Sequence, residues 1–359
     1  NSGATGIEGT VDDLKDRVKP RVFGQVFQVS PPCVNTSTLT YQVSSAAVTD
    51  IAAVYDRGVL LTKGSNYASN AALQAASLAA GSYGTCFAEG LFRLASQPAG
   101  QITADVTQGA TNARTVAQTL QAIALLAGLT SAEISAADVA ALDAINNAVV
   151  GIYVDDESTT FLEAMAQLAA SIGAWFGFDP QGVLRMGVLT VASGAPVLDL
   201  QDYDFGDNIE RRAARDNGIP AWTVKLAHTK IWATQADLAG SVPATRRAYL
   251  AQEFRYAEAS DAAVKNQYKL AKKLEVQTLL VSATAAATEA ARQLALYKVN
   301  RAVFEVTIPI ELLAGITLKF MDVVKITVAR FQLSSGKMFR LIGIRYELAT
   351  GRVILTVWG

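Results

Sequence analysis

The chain is short of the residues from which catalytic and metal sites are usually built. In 359 residues it has one histidine, His228, and two cysteines, Cys33 and Cys86. Two cysteines cannot make a disulfide framework, and no Cys-x-x-Cys pair marks a redox or zinc motif. They read as unpaired, partly buried thiols of a reducing compartment. One histidine leaves a triad or a His-based metal centre without evident partners. Its place in an alternating strand between Trp222 and Trp232 reads instead as a structural, hydrogen-bonded His.

Charge is scarce as well. Charged residues are 18% of the chain, with 31 Lys and Arg against 32 Asp and Glu. That balance argues against a specific nucleic-acid binder, because phosphate contacts require clustered excess cation. No apolar run reaches the roughly 18 residues that a membrane-spanning helix needs. Gly-x-Gly-x-x-Gly, a Walker-type Lys and Gly-x-Ser-x-Gly are all missing, so nothing recommends a cofactor, a nucleotide or an acyl-transfer enzyme. The N-terminus reads as neither signal peptide nor transit sequence. With no initiator Met, residues upstream of Asn1 are expected.

What the chain has in quantity is apolar residues, 51% of the total, with a mean hydropathy of +0.24. Much of this is Ala in helices, and some of it suits surface that another subunit covers. The length exceeds what one hydrophobic core usually organises, so two or three domains are expected.

Along the chain, residues 1–20 read as an arm or linker and 21–106 as a β-rich domain. The β pattern opens with Val22-Phe-Gly-Gln-Val-Phe-Gln-Val, breaks at Pro31-Pro32, and resumes at Leu39-Thr-Tyr-Gln-Val. Asp56-Arg-Gly58 is a hairpin-turn candidate, and Tyr67 to Gly81 is Ala-rich enough for a short helix. Residues 107–199 form a helical segment plus a β-hairpin. Thr111 to Phe176 reads as helical, with Val116, Leu120, Ile123 and Leu126 at helical spacing and Gly128 as a stop. Thr130-Ser-Ala-Glu133 and Thr160-Phe-Leu-Glu163 have the capping-box form. The hairpin turns through Asp179-Pro-Gln-Gly182.

Residues 200–283 read as a mixed β and loop segment, and 284–359 as a helix feeding a four-stranded antiparallel domain. Across the start of the former, Val197 to Asp216 is polar and irregular. Trp222 to Trp232 is a strong alternating strand, Ala233 to Arg247 has loop composition, and Ala259 to Lys273 suits a helix. In the last stretch, β-rich segments start at Val303, Val323, Phe339 and Val353. Gly315, Ser334-Ser-Gly336 and Thr350-Gly351 fall between them as turns. The fold class is α+β and β-rich. No internal sequence repeat is present.

Several spaced pieces, in order, resemble the tail-tip or baseplate hub proteins of long-tailed bacteriophages. At the N-terminal side these are Pro20-Arg-Val-Phe-Gly-Gln-Val-Phe, Tyr41-Gln-Val, Val54-Tyr-Asp-Arg-Gly58, Gly90-Leu-Phe-Arg-Leu and Pro98-Ala-Gly-Gln-Ile-Thr-Ala-Asp-Val106. At the C-terminal end they are Arg301, Phe320-Met-Asp-Val-Val324, Gly336-Lys-Met-Phe-Arg-Leu-Ile-Gly-Ile344 and Leu355-Thr-Val-Trp-Gly359. The resemblance singles out Gly90, Phe92, Arg93, Pro98, Gly100, Asp105, Asp179, Gly182, Arg301, Asp322, Gly336, Phe339, Gly343 and Trp358 as structural positions. In one departure, Met321 stands before Asp322 where the family usually has Gly.

The resemblance implies antiparallel, tube-like β-barrel domains with a helical segment between them, and a homotrimeric ring. It also implies the partners: the tail tube or distal tail protein, the tape measure protein, and a tail fibre or spike. The chain would sit in the virion, at the tail tip, after assembly in the host cytoplasm. Its work would be mechanical, gating passage of the tape measure and DNA, with no catalytic residue, cofactor or metal.

The residues also allow another class, a tail-associated cell-wall hydrolase or carbohydrate-binding module. That reading needs paired carboxylates in a cleft or an exposed aromatic platform. Trp175, Trp222, Trp232 and Trp358 look placed on apolar faces as core. Glu163 is better explained by its capping box than as a general acid. Asp155-Asp-Glu157 could ligate Mg²⁺ or Ca²⁺, but it lacks the ligand spacing of a calcium loop and precedes a helix start, where acids favour the dipole. Arg211, Arg212, Arg215, Arg246 and Arg247, interleaved with Asp207, Glu210 and Asp216, read as a salt-bridged surface rather than a nucleic-acid site.

Overall fold

The computed structural model describes residues 18–205, 208–212 and 219–359. Asp207, Arg215, Asp216 and most of the N-terminal arm therefore lie outside the described residues.

The first ten strands are β1 (Arg21–Val29), β2 (Cys33–Asn35), β3 (Thr40–Gln42), β4 (Asp50–Asp56), β5 (Val59–Leu60), β6 (Thr62–Asn66), β7 (Ser82–Cys86), β8 (Leu91–Leu94), β9 (Ile102–Thr107) and β10 (Gly151–Val154). They form two five-stranded sheets, ordered β10-β1-β9-β4-β5 and β2-β3-β8-β7-β6. Both sheets close on one core, which includes Val22, Val26, Tyr41, Ile51, Tyr83, Phe92 and Ala104. The alternation along β1 and β9 supplies one wall of that core, and the aromatics of β3, β7 and β8 supply the other. Arg57 and Gly58 make the β4–β5 turn with φ of +48° and +79°, as a two-residue hairpin turn of the primed type requires.

β10 corrects the reading of Thr111 to Phe176 as wholly helical. Gly151–Val154 pairs antiparallel with β1, from Arg21 opposite Val154 to Gly24 opposite Gly151. A short apolar run flanked by Asn146 and Asp155 is ambiguous between helix and strand from periodicity alone. The rest of the segment is helical, at Val116–Leu126, Ala136–Ile145 and Phe161–Ala170. These helices pack with the hairpin β11 (Ala174–Phe178) and β12 (Leu184–Val188). Leu120, Ile123, Leu142, Leu168, Leu184 and Met186 form the shared core.

The remaining strands are β13 (Leu198–Gln201), β14 (Ile209–Arg212), β15 (Thr223–His228), β16 (Arg255–Ser260), β17 (Lys273–Gln277), β18 (Val303–Pro309), β19 (Val323–Val328), β20 (Leu333–Glu347) and β21 (Arg352–Trp358). The four expected C-terminal strands belong to a six-stranded sheet, ordered β13-β19-β20-β21-β18-β14. β13 runs parallel to β19 and β14 antiparallel to β18, so the sheet is mixed. The stretch read as polar and irregular thus supplies both of its edges. Leu198, Leu200 and Ile209 alternate with polar residues, but over only four residues per strand the pattern is too brief to stand out. Inward residues of all six strands meet in one cluster, so the sheet curls round its own core.

Three further expectations are corrected here. The β19–β20 turn is made by Ala329 to Gln332, with Phe331 and Gln332 at φ +56° and +61°. Ser334-Ser-Gly336 lies inside β20, where the register shifts against β19. The helix Ala283–Tyr297 does not pack on the C-terminal sheet. Its Ala290 and Leu294 pack with Val224 and Leu226 of a separate three-stranded sheet, β16-β15-β17. The stretch of loop composition also holds a helix, Ala244–Leu250.

Candidate functional site

The N-terminal motif positions hold one another in place. Phe92 is fully buried and stacks on Tyr41, with ring centroids 5.2 Å apart. Arg93, its neighbour on β8, points the other way and donates to four carbonyls: Thr38 at 3.1 Å, and Leu73, Gln74 and Ala76 at 3.0, 2.9 and 2.8 Å. Three of these terminate the helix Asn70–Ala75, whose last carbonyls would otherwise be orphaned. Gly90 has φ +62°, and a Cβ there would come within 2.2 Å of the Ser44 carbonyl oxygen. No other residue fits that approach. Pro98 leads into a turn closed by Asp56, which accepts from the Ala99 and Gly100 amides at 2.7 and 3.0 Å.

Asp105 centres a buried polar network. It accepts from the Gln28 backbone N–H (2.8 Å), the Gln28 side-chain amide (2.9 Å) and the Tyr55 hydroxyl (3.1 Å). The Gln28 amide oxygen accepts in turn from Thr103 and from Gln235, both at 2.9 Å. Gln235 belongs to the segment after β15, so the network ties distant parts of the chain together. Arg246, from the helix Ala244–Leu250, lies 5.1 Å from the Tyr55 ring centroid. Burial pushes the Asp105 carboxyl above its usual range, against the pull of the hydrogen bonds from Gln28 and Tyr55 and of the Arg246 charge. Burial, then Asp105, pushes the Tyr55 phenol up to about 12.

The C-terminal positions are also fastened. Asp179 accepts from the Gln181 and Val183 amides, each at 3.0 Å, and its carbonyl takes the Gly182 amide, closing the β11–β12 turn. Asp322 caps a turn by accepting from the Lys319 amide at 2.7 Å. Met321 makes that turn at φ +72°, and the Arg340 guanidinium holds the Met321 carbonyl at 2.7 Å. Phe339 is fully buried, edge-on to Phe304 at 5.5 Å. Gly336 and Gly343 both sit where the β20 register shifts. Arg301 lies over the buried Trp358 ring, 4.8 Å from its centroid.

The residues weighed for chemistry have structural partners. His228 is buried and shares a 2.8 Å hydrogen bond with the Thr229 hydroxyl; burial and then the Arg255 charge lower its pKa. Glu163 accepts from the Thr160 amide and hydroxyl at 2.8 and 2.9 Å, while the Thr160 hydroxyl takes the Glu163 amide. Asp156 accepts from the backbone and hydroxyl groups of Ser158 and Thr159. Those bonds lower its pKa to about 2. Among the described residues, no group of three or more His, Cys, Asp or Glu could hold a metal ion.

Arg212 pairs with Glu305 at 2.6 Å, and Arg247 donates to the carbonyls of Val242, Leu238 and Ala239. Of the four tryptophans only Trp358 is buried; Trp175, Trp222 and Trp232 are half-exposed, and Lys265 and Lys230 cover the latter two. The Cys33 thiol donates to the Asn35 carbonyl at 3.6 Å and the buried Cys86 thiol to the Glu89 carboxylate at 3.9 Å. A cavity of about 300 Å³ lies beside the C-terminal sheet, between Asp204, Phe205, Asn208, Glu311 and Arg352. Among the described residues, no helix is long and apolar enough to cross a membrane.

Sequence reasoning missed Gln28, Gln235 and Glu289. Glu289 is buried in the Ala-rich helix and accepts from Asn146, Arg292 and Gln293. Its signal was a lone acid among alanines, with Arg three residues on.

No protein-family model matches the chain, and no curated protein matches it. Solved structures do. The chain is similar over 100% of its length to 88% of a chain from the virion of a native gene transfer agent particle, with a TM-score of 0.60 and 15% identity. It is also similar to the tail protein from Neisseria meningitidis MC58, at 15% identity and a TM-score of 0.45, over 73% of this chain and 76% of that one. For the 43 kDa tail protein of prophage MuSo2 from Shewanella oneidensis the values are 16% and 0.41, over 72% and 74%. The chain thus shares its overall fold with that chain of the gene transfer agent virion.

Proposed function

We propose that the chain is a structural component of a phage-type tail tip or baseplate hub. Copies form a trimeric ring that joins the tail tube or distal tail protein to distal fibres or a spike. The ring gates passage of the tape measure protein and DNA. The observation that carries this reading is the end-to-end likeness in fold to a chain of a virion particle. The motif positions support it, because each is engaged in holding strands, turns or helix ends. Exposed apolar side chains such as Leu162 and Leu348, 65% and 77% accessible, supply surface that neighbouring subunits would cover. The protein acts in the virion, after assembly in the host cytoplasm, and performs no bond-making chemistry.

Light scattering on the purified chain over a range of concentrations tests the ring. A stable trimer is expected, and a strict monomer at high concentration would overturn it. A parallel assay on purified cell wall is expected to show no hydrolysis.

A further inference from the structure

One end of the C-terminal sheet crowds cations together. Across that end the strand order is β20, β21, β18, β14. Lys337 leads into Met338 and Phe339, which lie against Gly359. Gly359 exchanges backbone hydrogen bonds with Ala302 at 2.8 and 3.1 Å, and Ala302 follows Arg301. Phe304, two residues further, pairs with Arg211 on β14. Lys337 and Arg211 share the inward face of the sheet with Ile326 and Phe304, their strand partners.

Aromatic rings floor the cluster. The Lys337 ammonium is 5.4 Å from the Phe339 ring centroid and the Arg301 guanidinium 4.8 Å from that of Trp358. Arg301 is half-buried, while Lys337 and Arg211 reach the surface. Nearby cations have acid partners: Arg212 bonds Glu305 at 2.6 Å and Lys325 bonds Asp199 at 2.8 Å. Among the described residues, no carboxylate lies within ion-pair distance of Arg301, Lys337 or Arg211. Burial, and then the charges of Arg301 and Arg211, lower the pKa of Lys337. Like charges gathered at one place repel one another until an anion joins them.

We infer that Arg301, Lys337 and Arg211 form a binding site for an oxyanion group, a carboxylate or a phosphate. A guanidinium fork and an ammonium over apolar rings suit such a group, since both make charge-assisted hydrogen bonds to carboxylate and phosphate oxygens.

Thermal unfolding of the full chain tests this, with inorganic phosphate or glutarate added and ionic strength held constant with chloride. At least one anion is expected to raise the Tm of the unaltered protein. Lys337→Gln and Arg301→Gln are each expected to weaken its apparent affinity about tenfold. Lys319→Gln, at an exposed lysine outside the cluster, is expected to leave it unchanged. In chloride alone Lys337→Gln should melt no lower than the unaltered protein, which separates loss of the site from loss of fold. A stronger response to phosphate assigns a phosphate-bearing ligand, and a stronger response to glutarate the acidic side chain of a protein partner. No rise with either anion, or an equal rise in all four proteins, would overturn the site.

Discussion

Asp105 holds Gln28 in a left-handed backbone conformation, accepting its backbone N–H at 2.8 Å and its side-chain amide at 2.9 Å. Gln28 has φ +53°, and the β1–β9 register shifts between Val26 and Val29. The twist turns the Gln28 carbonyl toward the Ala233 amide, 2.8 Å away. One carboxylate thus offsets a strained conformation and docks a remote segment onto the first domain.

The same carboxylate makes stability pH-dependent with a definite sign. Burial raises the Asp105 pKa, so the folded chain holds this proton more tightly than the unfolded chain does. The contribution is fully present below the ordinary Asp range and is lost as pH rises through the folded value. Asp105→Asn removes that slope. Measured by urea unfolding, wild-type stability minus variant stability should fall as pH rises toward neutrality. A difference that grows instead would mean that Gln28 and Tyr55 outweigh burial.

Arg93 makes its own prediction. Four carbonyls around one guanidinium are a geometry that a lysine ammonium cannot reproduce. Arg93→Lys should keep the charge, lose about 2 kcal/mol and release the helix Asn70–Ala75. Denaturant unfolding reads the loss, and faster amide exchange confined to that helix locates it. Exchange unchanged across the helix would show that its other contacts suffice.

Met321 is the departure where strain is removable. A non-glycine residue in the left-handed region costs roughly 1–2 kcal/mol, and Met321 sits there at φ +72°. Its side chain is only half-buried, so little packing is at stake. Met321→Gly should stabilise the chain by about 1 kcal/mol after the added freedom of the unfolded state is counted. Calorimetry decides it: a lower Tm would mean that the Met321 side chain contributes more than the strain costs.

These residues also show how far the sequence could be read. The turns at Asp56-Arg-Gly58 and Asp179-Pro-Gln-Gly182, the capping box at Thr160 and Glu163, and the four C-terminal strands were legible because their signals are local. A turn needs a positive φ, a cap needs a hydroxyl and a carboxylate three residues apart, and a strand needs alternation. β10, β13 and β14 were not legible, since four residues carry too little alternation and their identity as strands depends on distant partners. The Ser334-Ser-Gly336 turn was misplaced because Gly336 serves a register shift, while the real turn uses Phe331 and Gln332. Gln28, Gln235 and Glu289 stayed hidden for a similar reason. A polar side chain gives no sign in sequence that it will be buried against a residue a hundred positions away.

Glu289 gives the largest expected effect of the buried polar groups. Its carboxylate accepts from Asn146 at 2.8 Å, from two Arg292 nitrogens at 2.9 and 2.6 Å, and from Gln293 at 2.8 Å. Arg292 also donates to the Ile172 carbonyl at 2.7 Å, so the cluster pins the helix Ala283–Tyr297 to the helical segment. Removing one partner of a buried pair leaves the other charged and unpaired, which costs about 3–5 kcal/mol. Glu289→Ala should therefore cost that much, and Arg292→Met a comparable amount. The double variant should cost less than their sum, because neither charge then remains buried alone. A double-mutant cycle by denaturant unfolding measures the coupling. Additive costs would mean that Arg292 acts through Ile172 and that Glu289 is held by Asn146 and Gln293 alone.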